Sequence, residues 1–349
     1  MPQPNVYQPL YDPILTSISI ANMQSDTMFG ALSAAPIVPV QSITGLYYTW
    51  PTNNIIRQGT MQPIGPDGRY PEVGFTHSTD NYQIPVVGER KGFSEAELAA
   101  AVGAGITNLE GVATDVLTLR AKLTMENAFA STLLKPASSP WSTNYTGVAS
   151  GTPSASEFLR WDVPTSNPSL DIKNAINVAT IRSGGQKPNK LIVAQDVFTA
   201  LTENASINAK IMTTPGSGTV TKKVLPETLA AHFGLDEVIV VGAVQNTAKE
   251  GAADSNAFIG AGNALLAYFP DSPGIMTPSA AYMFAWSGFV PGQSMTLGGR
   301  TVGAVPFRIR QHPDPHVGAG GSRVFYGEAA FLYKVINPTM GVLFSGAIS

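Results

Sequence analysis

Aromatic and β-branched residues crowd Leu46-Tyr47-Tyr48-Thr49-Trp50 and Ile55-Ile56-Arg57, and again Tyr82-Gln83-Ile84-Pro85-Val86-Val87. Between them lies Gly65-Pro66-Asp67-Gly68, a turn in which Pro presets φ and Gly accepts the left-handed conformation. This pattern predicts an antiparallel two-stranded ribbon over residues 46–92. With arms of about 20 residues at about 3.3 Å each, the ribbon reaches roughly 65 Å. A body of about 250 residues has a radius of gyration of only about 18 Å. Pro51, Pro63, Pro66, Pro71 and Pro85 remove ladder donors, so the ribbon cannot lie in the middle of a sheet, and an isolated hairpin is marginal in water. A meander folded onto its own domain is the plainer reading; reach and prolines favour a ribbon that needs a neighbour.

Before the ribbon, residues 1–42 alternate Pro, Gln and Asn with short apolar clusters (Ile14-Leu15, Ile37-Val38), which reads as an extended arm lying across other surfaces. After it, Ser94-Glu95-Ala96-Glu97 is a capping box that starts a helix. Leu98, Val102, Ile106, Leu109, Val112, Val116, Leu119, Leu123 and Ala130 follow at mostly three- and four-residue spacing, one apolar stripe running to about Leu134. Gly103, Gly105 and Gly111 each weaken that helix by about 1 kcal/mol relative to Ala, so a break near Gly111 is expected, with a straight helix of five or six turns beyond it ending before Pro136. Residues 135–168 turn to Ser, Thr, Pro and Asn, a connection with Trp141, Phe158 and Trp161 as anchors.

Helical and strand patterns then alternate. Leu170–Arg182 is helical, Leu191–Ala194 a buried strand, Asp196 the cap of a short helix Val197–Thr202, and Pro226–Phe233 a helix that opens on Pro and stops at Gly234. Strands are expected at Glu237–Val241, Ala257–Ile259 and Ala264–Phe269. The final section is β-rich (Val305–Arg310, Val324–Val335, Met340–Phe344) and is expected to pack back on the long helix. No internal repeat is visible.

Composition sharpens this picture in one respect. Of 349 residues 44% are hydrophobic, enough for a real core, yet only 13% are charged, about half the usual share. Interface cores are depleted in charge, so extensive self-association fits best. No run of 18 apolar residues predicts a membrane span. With no cysteine there is no disulfide, thiolate chemistry or Cys-ligated zinc. The start Met1-Pro2-Gln3-Pro4-Asn5 lacks the features of a signal peptide, which points to the cytoplasm. A net charge of −3 without a basic run argues against a sequence-reading nucleic-acid binder.

Taken in order, the extended loop, the long helix, Asn174-Ala175-Ile176 to Gly184, Pro188-Asn189-Lys190-Leu191-Ile192-Val193, and Leu229 through Phe233-Gly234 to Val238-Ile239-Val240-Val241-Gly242-Ala243-Val244-Gln245-Asn246 resemble the tailed-bacteriophage major capsid proteins. Their coat fold, first described for a Hong Kong phage, is shared with encapsulin compartments. The resemblance covers about Leu46 to the last residue. It implies an α+β phage major capsid fold: an N-terminal arm (1–45), an extended loop (46–92) lying over an adjacent subunit, a peripheral domain with a spine helix (93–164 and 286–349), and an axial domain (165–285). It implies an icosahedral head shell, built of pentamers and hexamers of this chain, around nonspecifically held double-stranded DNA. Separate scaffold, portal and decoration proteins would be partners, with assembly in the host cytoplasm and the virion as destination. The short N-terminus leaves no room for a fused scaffold of about a hundred residues. The loop tip offers Arg69 and no Lys, so the crosslinking of some coats is not expected. An encapsulin-like compartment is the alternative within the same fold.

Chemistry is sparse. Arg57, Arg69 and Tyr70 on the ribbon are the candidate intersubunit contacts, because Arg and Tyr are enriched at interfaces. His312-Pro313-Asp314-Pro315-His316 can be drawn as a divalent-metal clamp, which would make a metal-dependent hydrolase the alternative of another class. The prolines impose an extended backbone and no third ligand type follows, so a polar loop is preferred. His232 falls at a helix C-terminus, where a partial positive charge is favourable. No phosphate loop, dinucleotide fingerprint or nucleophile elbow occurs. The chain is therefore expected to be neither an enzyme nor a cofactor or metal carrier.

Overall fold

The computed structural model describes residues 24, 28–49, 68, 70, 78–103, 109–212, 224–273, 277–297, 300–316 and 321–349. A short helix α1 (Ala31–Ala34) leads into strand β1 (Ile37–Val40), followed by β2 (Thr44–Thr49), β3 (Ser78–Gln83) and β4 (Val86–Ser94). Two helices follow, α2 (Glu95–Gly103) and the long α3 (Leu109–Leu133), then β5 (Thr143–Val148) and β6 (Glu157–Leu159). The next stretch alternates: α4 (Pro168–Arg182), β7 (Lys190–Ala194), α5 (Gln195–Glu203), α6 (Ala205–Met212), α7 (Pro226–Phe233) and β8 (Glu237–Val241). The rest is β: β9 (Val244–Asn246), β10 (Asn256–Phe258), β11 (Ala264–Ala267), β12 (Ala281–Trp286), β13 (Met295–Leu297), β14 (Arg300–Val302), β15 (Phe307–Asp314), β16 (Ser322–Val335) and β17 (Gly341–Ser345).

Two sheets organise these elements. One runs β6-β5-β17-β11-β7-β8; the other runs β1-β12-β16-β15, with β4 also paired to β16. Period-2 alternation sorts their side chains into layers. Ile192, Leu265 and Leu343 of the first sheet join Met283, Ala285, Ala329 and Phe331 of the second, and Met125, Phe129 and Leu133 of α3, in one core between the sheets. Their neighbours Leu191, Val193, Leu266, Val342 and Phe344 point the other way and pack with the apolar faces of α4 to α7. Strands buried on both faces read as unbroken apolar runs, which is why Leu191–Ala194 is legible in the sequence.

Local chemistry explains the element ends. Ser94 and Glu97 close the predicted capping box: the Ser94 amide donates to Glu97 Oε2 at 2.8 Å and the Glu97 amide to Ser94 Oγ at 3.2 Å. α7 begins on Pro226 and ends at Gly234, which takes φ +69° and satisfies the last carbonyls. The C-terminal end of α3 is held by Trp141, whose indole Nε1 donates to the Leu133 carbonyl at 2.8 Å.

Several expectations are corrected. Val86 and Val87 do not continue the ribbon; Pro85 interrupts it, and β4 pairs with β16 from Ser94↔Ser322 to Val86↔Ala330. Ile37-Val38 is not a loose arm, since β1 pairs in parallel with β12 and Ile37 is buried. Gly111 itself lies inside α3, which starts at Leu109 and runs for 25 residues, about seven turns and not five or six; residues 104–108, between α2 and α3, lie outside the described residues. The buried stripe of α3 is Ala113, Leu117, Met125, Phe129 and Leu133, one step round from the predicted one, and Val116 is exposed. Residues 135–168, read as a connection, contain β5 and β6, although Trp141, Phe158 and Trp161 are indeed buried there. Of the C-terminal strands, β16 lies on α3 as expected, whereas β17 inserts between β5 and β11. Asp196 lies inside α5 rather than capping it, and bridges the Val197 and Gly262 amides instead.

Candidate intersubunit surface

The base of the ribbon is a six-pair antiparallel ladder from Thr44↔Gln83 to Thr49↔Ser78. Its inner face is fixed to the body by aromatics. Tyr82 stacks on Phe284 with ring centroids 4.9 Å apart, and Tyr47 lies 5.7 Å from the same ring. Gly45 makes room for the Tyr82 ring, since a Cβ there would lie 2.5 Å from the phenol oxygen. Tyr47 donates to Asp80 Oδ2 at 2.6 Å, and Lys334 of β16 pairs with the same oxygen at 2.8 Å while its ammonium sits over the Tyr47 ring. The Lys334 and Tyr47 bonds hold the Asp80 carboxyl down at about 2; burial and then Asp80 raise the Tyr47 phenol.

The outer face is different. Alternation turns Leu46 and Tyr48 outward, opposite Asn81 and Thr79, and they are 73% and 57% exposed. Side by side at i and i+2, they put an apolar and an aromatic group in water on a strand pinned from behind. Val86 and Val87 at the start of β4 are also exposed.

Of the residues predicted for intersubunit contact, Tyr70 is described and is 84% exposed, while Arg57 and Arg69 lie outside the described residues, as does most of the predicted turn. Leu46 and Tyr48 are contact candidates that the sequence reading misses; strand alternation beside the half-buried Tyr47 is the signal that could have found them.

The histidine motif does not assemble a metal site. His312 Nδ1 lies 2.6 Å from the Pro313 carbonyl, and Asp314 Oδ1 accepts from the His316 amide at 3.1 Å, so the carboxylate closes its own turn. Among the described residues no group of three or more His, Asp or Glu is placed to hold a metal. His232 Nε2 lies 2.9 Å from Ser169 Oγ; burial, then Lys173 and Lys210, push its pKa down. Ser169 is fully buried, and this pair ties α7 to α4. Among the described residues no helix is long and apolar enough to cross a membrane.

No family profile and no curated protein matches the sequence. Solved structures do. A phage-related protein from Bordetella bronchiseptica superposes with a TM-score of 0.61 at 19% identity, over 97% of both chains. The capsid of the cyanophage P-SCSP1u gives 0.55 at 10% identity over 89% of this chain and 86% of that one. The mature capsid of bacteriophage PhiM1 gives 0.55 at 11% identity, over 93% and 87%. The fold is that of a phage major capsid protein. β2 and β3 fall where the sequence resemblance puts the extended loop, and α3 where it puts the spine helix. The identities are low enough that the likeness lies in the arrangement of elements, with side chains free to differ.

Proposed function

We propose that this chain is the coat protein of a tailed phage, assembling into an icosahedral head around double-stranded DNA, and that its work is mechanical and not enzymatic. One observation carries the reading: on a capsid-protein fold, the base of the extended loop is fastened by one face to its own body while Leu46 and Tyr48 on the other face are largely exposed. Burying such surface against a second copy stabilises a contact by about 25 cal/mol per Å² of apolar area, and a closed lattice repeats that contact at every subunit. Arg57, Arg69 and Tyr70 would add to it farther along the loop. In this reading the arm ahead of α1 and the loop between β2 and β3 join subunits, residues 93–164 and 286–349 form the peripheral part, and residues 165–285 gather round the centres of pentamers and hexamers. Any DNA contact is weak and without sequence preference, since a net charge of −3 gives little attraction for phosphate.

Electron microscopy of the expressed chain tests this. Closed shells are expected, and monomers that persist at high concentration would overturn it. Nucleic acid recovered from shells made in infected cells supports a phage head; a co-purifying enzyme would mark an encapsulin-like compartment instead. Arg69→Glu is expected to impair assembly while the free chain still folds, and normal shells from that variant discard the assignment of Arg69.

A further inference from the structure

Glu126 is the one acidic side chain placed in the central core among the described residues, 1% exposed in the middle of α3. Its two oxygens take successive backbone amides from a segment nearly a hundred residues away: Gly30 N–H reaches Oε1 at 3.1 Å and Ala31 N–H reaches Oε2 at 2.9 Å. Elsewhere the same segment buries Ala31 and Ala34 in the central core and makes several further bonds. Gly242 N–H donates to the Met28 carbonyl at 3.0 Å, and the Gln24 amide group both accepts from Val244 N–H and donates to the Val244 carbonyl. Phe29 lies under the Lys122 ammonium at 5.9 Å, and Lys190 donates to the Ser33 carbonyl. Around Glu126 on the helix, Lys122, Leu123, Asn127 and Ala130 are only half-buried. Lifting residues 28–34 away therefore returns the carboxyl to water.

We propose that residues 28–34 form a detachable clasp, that Glu126 is its receptor on the spine helix, and that docking of the clasp takes up a proton. A carboxylate is a strong acceptor for two amides, but sealing its charge in an apolar core costs free energy that only pairing or neutralisation offsets. Among the described residues no cation is bonded to it. Burial raises the Glu126 carboxyl to about 7 against the partial opposition of the Ala31 and Gly30 amides. Each packed element presents its own groups to this carboxyl. From β16 comes Tyr333, fully buried, its hydroxyl without a hydrogen-bond partner among the described residues and its ionisation pushed well up by burial and then by Glu126. From its own helix comes Lys122, occupied over Phe29. α1 offers no ionisable side chain, β8 presents Ile239 and Val241 to Gly30, and the nearby Lys190 is paired with Glu237.

The sign follows from linkage. The docked carboxyl has a higher pKa than a solvated one, so the docked state holds more protons between the two values. Docking is strongest below the ordinary carboxyl range and weakens as pH rises through about 7. The clasp would thus loosen toward alkaline pH, freeing the segment that leads to the N-terminal arm.

Hydrogen exchange followed by mass spectrometry on the full chain tests this, with rates corrected for intrinsic pH dependence. Protection of residues 28–34 is expected to fall roughly ten-fold or more between about pH 5.5 and about pH 8.5, and to be flat in Glu126→Gln, which keeps an acceptor and cannot ionise. A flat wild type, or the same slope in the variant, overturns the proposal. If the variant does not fold, carbon-13 NMR of the wild-type glutamate carboxyls decides. A buried carboxyl titrating together with the loss of protection supports the clasp; titration of every glutamate in the ordinary range overturns it. The readout lies within one chain, so its failure leaves the shell reading standing.

Discussion

Gly341 lies beneath the indole of Trp141 so closely that a Cβ would come within 2.3 Å of the ring. That ring cannot yield freely, because its Nε1 holds the last turn of α3. Gly341→Ala is expected to destabilise the chain by about 1–3 kcal/mol, read as a lower urea midpoint with unchanged slope. Trp141→Phe, which keeps most of the packing and loses the hydrogen bond, is expected to cost about 1 kcal/mol. At this scale the sequence identifies Trp141 as an anchor but not the reason Gly follows Met340, since that reason is a contact made 200 residues away in the chain. Asp80 belongs to the same scale. Its carboxyl is depressed, so its bonds to Lys334 and Tyr47 stabilise the loop base above the ordinary Asp range and are lost as pH falls through about 2. Asp80→Asn is expected to remove that acid limb from the exchange protection of residues 44–49.

Among elements, the spine helix shows where periodicity stops being decisive. Val112, Val116, Leu119 and Leu123 satisfy helical spacing as well as Ala113, Leu117, Met125 and Phe129 do, and the two stripes lie side by side. What selects the second is β16, whose Gly327 lets Leu117 approach until a Cβ there would stand 3.1 Å from the Leu117 Cβ. Gly327→Val is expected to push the helix off the sheet at a cost of about 1–3 kcal/mol, seen as a lowered thermal midpoint. The ribbon is legible because its composition is local. Its end is misplaced because Val86-Val87 is equally good strand sequence for either partner, and the choice of β16 is a long-range one. β5 and β6 escape for a similar reason: short, polar-flanked strands become strands only when a sheet edge accepts them.

For the whole molecule, low charge and an extended loop are enough to point to self-association from sequence, because both are properties of composition and local pattern. The way the two sheets share one core is not legible there, since it depends on strand pairings between distant parts of the chain. The sharpest prediction at this scale concerns the outer face of the loop base. The substitution Leu46→Glu is expected to leave the thermal midpoint of the free chain within a few degrees, because that side chain is already exposed. It should abolish shells in electron micrographs and sedimentation. Normal shells from that chain would remove the loop base from the contact.

The insertion of β17 between β5 and β11 sets an order of events during synthesis. Residues 143–148 and 264–267 emerge from the ribosome long before the strand that must lie between them, so the six-stranded sheet stays gapped until residues 341–345 arrive. If the chain builds a shell as proposed, chains cut short before residue 341 would lack a finished surface to offer a second copy.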